Sequence, residues 1–141
     1  GDGYGSRRIH AYVEERRLER RVRRPGYLPR AELEKLFQAA SLLLFVSLEE
    51  GFGFPMLEAM ARGLPVVASG VSALPEVGGD AVLFVNPLDP AEIAAGVMRA
   101  VEDAGLRLSL IEKGFRRAGG YSWIKAAQGV LGVYDELAMG L

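Results

Sequence analysis

Three apolar segments constrain this chain more than any other feature: residues 41–47 (SLLLFVS), 64–69 (LPVVAS) and 81–85 (AVLFV). An apolar run without polar alternation suits a strand covered on both faces, the environment of a parallel sheet with helices on either side. Helix-like stretches separate the runs, with helix expected over residues 31–40, from Pro55 to Gly63, from Pro90 to Asp103, and then over 106–118 and 122–139. Local punctuation agrees. Pro55 supplies a first helical turn with preset φ, Gly63 a C-terminal stop, and Asp89 before Pro90 a cap followed by a first helical residue. Residues 70–80, through Pro75 and Gly78-Gly79, read as a loop. Nearer the amino terminus, Ser6 predicts the N-cap of a helix to about residue 18, with Ile9, Tyr12 and Val13 on one face. Residues 22–28 predict a short strand ended by Pro29. Strand and helix alternating in short units predict an α/β fold, a Rossmann-like doubly wound parallel sheet that takes its ligand at the carboxyl ends of the strands.

Composition narrows the class. The chain has 141 residues, half of them hydrophobic, which is enough for one compact domain over 1–141 with a real core. With 25% charged residues and a mean hydropathy of +0.13, a disordered chain is excluded. No apolar run approaches the roughly 20 residues of a membrane-spanning helix. The absence of cysteine excludes a disulfide framework and a thiolate metal site. Without an apolar stretch at its start, the chain is expected to be cytoplasmic. Net charge is only −1, yet nine of the fourteen arginines stand in the first thirty residues against four acids. These arginines alternate with apolar residues at helix and strand spacing and lack the interleaved aromatics of a base-stacking surface, so nucleic acid is not expected. They read as a solvated face, with an acidic partner at the membrane surface, such as the headgroup of a lipid-linked acceptor, as the alternative.

Residues 49–63 (EEGFGFPMLEAMARG) follow the first apolar run and occupy such a carboxyl end. Two glycines let the backbone turn sharply and approach a ligand, and the free amides of a helix starting at Pro55 can hold a phosphate. Glu50 lies in the loop and Glu58 about one turn into the helix, so both carboxylates can face one cleft. A carboxylate repels a diphosphate but accepts hydrogen bonds from two hydroxyls, so sugar or ribose hydroxyl pairs are the expected targets. Spacing alone leaves another reading open, in which Glu49 and Glu50 complement the helix dipole, Glu58 is a solvated helical acid and the glycines only make a turn. Gly51-x-Gly53 is a weak signal by itself, and the dinucleotide fingerprint is absent because position 56 is Met.

Residues 50–58 closely resemble the E-x7-E motif of glycosyltransferase family 4, the group 1 glycosyltransferases of GT-B architecture. Blocks similar to those of that family's carboxy-terminal domain occur in order around it: residues 24–29 (RPGYLP), 64–69, 72–77 (SALPEV) and 121–123 (YSW). The resemblance covers essentially the whole chain. It implies that Glu50 contacts hydroxyls of the transferred sugar, and that Glu58 binds the ribose of a nucleotide-diphospho-sugar donor. It further implies that the amides of Gly51, Phe52, Gly53 and Phe54 hold the sugar and distal phosphate, with Tyr27 and Leu28 beside the base. The implied reaction retains anomeric configuration, by same-face attack in which a donor phosphate oxygen helps deprotonate the acceptor. No Asp-x-Asp motif occurs and no cofactor or metal is implied. The family stabilises the departing diphosphate with helix-terminal amides, an Arg and a Lys.

By the same resemblance, the chain is expected to start after the first strands of the domain. The Arg/Lys pair, the amino-terminal acceptor domain and its cleft His would then lie outside it, and His10 is an ordinary helical histidine. For a strand order of 3-2-1-4-5-6, the strands near Val22 and Leu43 would lack their usual neighbours. They are expected to pair directly, or a homodimer to form through the exposed sheet edge. The 141 residues alone are expected to bind weakly and to catalyse nothing. The alternative from another class is a non-catalytic sugar-nucleotide-binding module working with a partner chain. An epimerase or phosphorylase of related architecture fits less well. The first lacks the Tyr-Ser-Trp ending, and the second needs a cofactor lysine, for which only Lys35, Lys113 and Lys125 are available.

Overall fold

A computed structural model describes residues 5–140. These group into two compact units, the first ending at Leu36 and the second running from Phe37.

The first unit contains α1 (Ser6–Glu15) and most of α2 (Arg30–Ala39). Helix α1 starts one residue earlier than Ser6 capping requires: Gly5, at φ 80°, takes the N-cap position and Ser6 is the first helical residue. Of the expected apolar face, Val13 is buried while Ile9 and Tyr12 are exposed. The strand expected over residues 22–28 is not there. The Val22 amide donates to the Leu18 carbonyl at 2.9 Å, drawing the start of the segment into a helical turn. Pro25 has no amide to give a ladder, and Gly26 sits at φ +71°. Direct pairing of this segment with the strand near Leu43 is therefore overturned. Two of the arginines have local partners. Arg24 Nη2 lies 2.7 Å from His10 Nδ1, and the Arg16 guanidinium lies 5.4 Å from the centre of the Tyr12 ring.

The second unit is the sheet and its helices: β1 (Leu43–Phe45), α3 (Phe54–Ala61), β2 (Val66–Ser69), α4 (Leu74–Gly78), β3 (Val82–Val85), α5 (Pro90–Glu102), α6 (Ala104–Gly119) and α7 (Trp123–Met139). All three strands are parallel in the order β1-β2-β3, with Leu43 opposite Val66 and Val66 opposite Val82. This is the 4-5-6 run of the expected order. The loop expected through Pro75 contains a short helix, α4, because proline is compatible with a first helical turn.

Strand β2 shows why the apolar runs lack polar alternation. Val66, Val67, Ala68 and Ser69 are all fully buried. Val66 and Ala68 pack with Met56, Ala59 and Met60 of α3 and with Leu74 and Val77 of α4, while Val67 packs on the other side with Val85 of β3 and Ala100 of α5. Burying Met56 and Met60 stabilises the unit by about 1.5–3 kcal/mol each. Helix α5 approaches closely at Gly96, where a Cβ would stand 2.7 Å from Val85 Cγ1. As expected, Asp89 caps α5, accepting from the amides of Ala91 and Glu92 at 2.9 and 3.1 Å.

Candidate functional site

The carboxyl end of β1 opens into residues 46–53, and the backbone enters α3 through Gly53 at φ 94°, ψ 45°. Two requirements meet at Gly53. Its positive φ disfavours any residue with a Cβ, and an added Cβ would stand 2.5 Å from Leu74 Cδ2. No side chain caps α3, and Pro55 lies in its first turn. Pro55 has no amide and the Met56 amide donates to the Gly53 carbonyl at 3.0 Å, so the Phe54 amide is left for whatever lies at the helix start, where the dipole favours an anion.

Glu50 is held from two directions. Its carboxylate accepts a hydrogen bond from Ser47 Oγ at 2.8 Å. Its carbonyl accepts from Ser72 Oγ at 2.8 Å, and its amide donates to the same oxygen at 3.3 Å. The side chain is half-buried, with its second carboxylate oxygen available to a further donor. Glu58 is exposed on α3, and its carbonyl accepts from Arg62 Nη1 at 2.8 Å. Arg62 in turn lies over the Phe37 ring, 4.7 Å from its centre. The structure therefore brings Glu50, Gly51, Phe52, Gly53, Phe54 and Glu58 into one turn and helix start. Tyr27 and Leu28 belong to the first unit, where Tyr27 is 91% exposed and Leu28 half-buried.

Sequence reasoning missed three features. The first is an aromatic cluster. Phe52 lies 4.7 Å from Phe54 and meets Tyr121 edge-on at 5.8 Å, while Phe54 stacks on Trp123 at 6.1 Å between ring centres. The signal available was the pair of aromatics flanking Ser122, which caps α7 by accepting from the Lys125 amide. The second is the Ser72 contact with Glu50, made from a backbone at φ +58°. No sequence pattern announces it. The third is Ser69 at the end of β2, fully buried, whose hydroxyl has no hydrogen-bond partner among the described residues. Beside it, a cleft of about 340 Å³ at the ends of β2 and β3 is lined by Gly70, Val71, Asn86 and Pro87, among others. No helix among the described residues is long and apolar enough to cross a membrane.

Comparison with known proteins places this geometry in context. Residues 1–117 match the family described as Glycosyl transferases group 1. The chain is 38% identical over 125 residues to the O-antigen chain mannosyltransferase B of Escherichia coli, covering 89% of this chain and 33% of that protein. It is 39% identical over 107 residues to the D-inositol 3-phosphate glycosyltransferase of Salinispora arenicola, covering 74% of this chain and 24% of that one. Among solved structures, the sucrose-phosphate synthase of Thermosynechococcus elongatus superposes with a TM-score of 0.82 at 30% identity, over all of this chain and 36% of that one. HepE of Anabaena, solved with UDP and glucose, gives the same TM-score at 22% identity, over 92% of this chain and 36% of that one. The chain thus spans about a third or less of these relatives' lengths. Its three-stranded parallel sheet and flanking helices have the Rossmann-like fold of GT-B glycosyltransferases. The chain belongs to the group 1 glycosyl transferases.

Proposed function

We propose that this chain is the donor-binding part of a retaining glycosyltransferase that uses a nucleotide-diphospho-sugar. The observation that carries the reading is the turn between Glu50 and Glu58. A carboxylate docked on Ser47 stands on one side of it, a second carboxylate stands on α3, and between them lies an uncapped helix start entered through Gly53. Glu50 accepts hydrogen bonds from hydroxyls of the transferred sugar, and Glu58 from the ribose. The amides of residues 51–54 hold the distal phosphate, where the helix dipole offsets the charge that develops as the nucleoside diphosphate leaves. Leaving-group stabilisation in this reading uses amides and cationic side chains without a metal, with the Arg/Lys pair, the acceptor site and the remaining strands supplied by the rest of the protein. The acceptor attacks from the face the leaving group occupies, so configuration is kept.

Strand β1 is hydrogen-bonded to a strand on one side only among the described residues. Pairing along its other edge, by a strand from elsewhere in the protein or by a second copy, completes this proposal. The test is transfer by the protein that carries this chain, after treatment with a chelator, with the product followed by NMR. An α-linked product from an α-linked sugar nucleotide is expected. An inverted product, or activity restored only by added divalent metal, contradicts the reading.

A further inference from the structure

Ser72 lies in the loop between β2 and α4, away from residues 50–58 in sequence, yet it touches Glu50 at both backbone polar groups. Its hydroxyl donates to the Glu50 carbonyl at 2.8 Å and accepts from the Glu50 amide at 3.3 Å. It does so from φ +58°, and in the second unit it is the one described non-glycine residue with positive φ. Such a conformation costs backbone energy at a residue with a Cβ, and strain of this kind persists where the surroundings enforce it and clusters at functional sites. A glycine would adopt the same φ freely but would have no hydroxyl to offer. Two residues further on, Leu74 is fully buried against Gly53, at the other end of the same turn. The β2–α4 loop and the first residue of α4 thus grip the turn at two points, Ser72 on Glu50 and Leu74 under Gly53.

We infer that Ser72 is a positioning residue for Glu50: its hydroxyl fixes the Glu50 peptide, so that the carboxylate docked on Ser47 presents its open oxygen to the transferred sugar. Ser72 itself contacts neither sugar nor phosphate. The inference rests on the donor-site reading of Glu50. It predicts a separation of effects, because the nucleotide is held by Glu58 and the amides of the turn, whereas the added affinity of the sugar depends on how Glu50 is aimed.

The experiment compares each nucleoside diphosphate with its sugar conjugate by calorimetry, using UDP and UDP-glucose, GDP and GDP-mannose, and ADP and ADP-glucose on the protein that carries this chain. The quantity read is the ratio of the two dissociation constants for whichever pair binds. Ser72→Gly and Ser72→Ala should each lower the added affinity of the sugar several-fold, approaching tenfold, as expected for losing the hydrogen bonds that orient a charged group. Affinity for the bare nucleoside diphosphate should stay unchanged. Ser72→Gly removes the backbone strain as well as the hydroxyl, so a merely structural role would leave its ratio at the unmodified value while Ser72→Ala suffered. If either variant fails to fold by circular dichroism, the other carries the comparison. Glu50→Ala is the reference. Loss of the sugar's contribution in Glu50→Ala but not in the Ser72 variants overturns the positioning role alone. A normal ratio in Glu50→Ala, or binding of none of the six nucleotides by the unmodified protein, overturns the donor-site reading and the inference with it.

Discussion

Gly53 and Leu74 are in such close contact that a Cβ on Gly53 would stand 2.5 Å from Leu74 Cδ2. Gly53 closes the turn before α3, and Leu74 begins α4 as one of the largest fully buried side chains of the core. The shape of the candidate site is therefore set by the hydrophobic core beneath it.

Gly53→Ala should destabilise the protein by about 1–3 kcal/mol, through positive φ and overlap together, with reduced sugar-nucleotide affinity. Denaturant unfolding checks the first and calorimetry the second. Adding Leu74→Ala removes the overlap, so the double variant should be more stable than the sum of the two single losses predicts. Strict additivity would show that the contact does not constrain the turn.

Ser69 buries a hydroxyl that has no partner among the described residues. Removing an unsatisfied polar atom restores no exposed surface and breaks no hydrogen bond, so Ser69→Ala should change stability by less than about 0.5 kcal/mol or raise it. A loss above about 1 kcal/mol in denaturant unfolding would show that the hydroxyl is satisfied in solution.

Phe54 and Trp123 stack at 6.1 Å although they are 53% and 80% exposed, joining the start of α3 to the start of α7. A double-mutant cycle with Phe54→Leu and Trp123→Leu should give a coupling of roughly 0.5 kcal/mol or more in favour of the pair. Zero coupling would mean that α7 is not tied to the turn before α3 through these rings.

The elements of the second unit were largely legible because local and global signals agree there. Pro55, Gly63, Asp89 and Ser122 stand at helix ends, and the apolar runs become parallel strands, of which β2 is buried on both faces while the edge strand β1 leaves Leu44 exposed. Residues 22–28 misled because Val22 and Leu28 suggest a strand. Pro25, Gly26 and the Val22 amide bonded to Leu18 disfavour one. For the site, the turn at residues 50–58 was visible as a motif, since its chemistry is local to the chain. The contacts that hold it were not. Ser72 and Leu74 reach it from 22 and 21 residues further along, and Trp123 from beyond α6, so only the folded chain brings them together.

In the proposed donor site, Glu58 binds the ribose of a sugar nucleotide at this turn. Calorimetry of UDP-, GDP- and ADP-sugars on the protein that carries this chain, repeated with Glu58→Ala, tests it most directly. One nucleotide class should bind, and the substitution should weaken it by roughly tenfold or more, the scale of hydrogen bonds to a charged acceptor. The loss should be equal for the sugar conjugate and the bare nucleoside diphosphate. Unchanged affinity in Glu58→Ala, or no binding of any of the three classes, would contradict it.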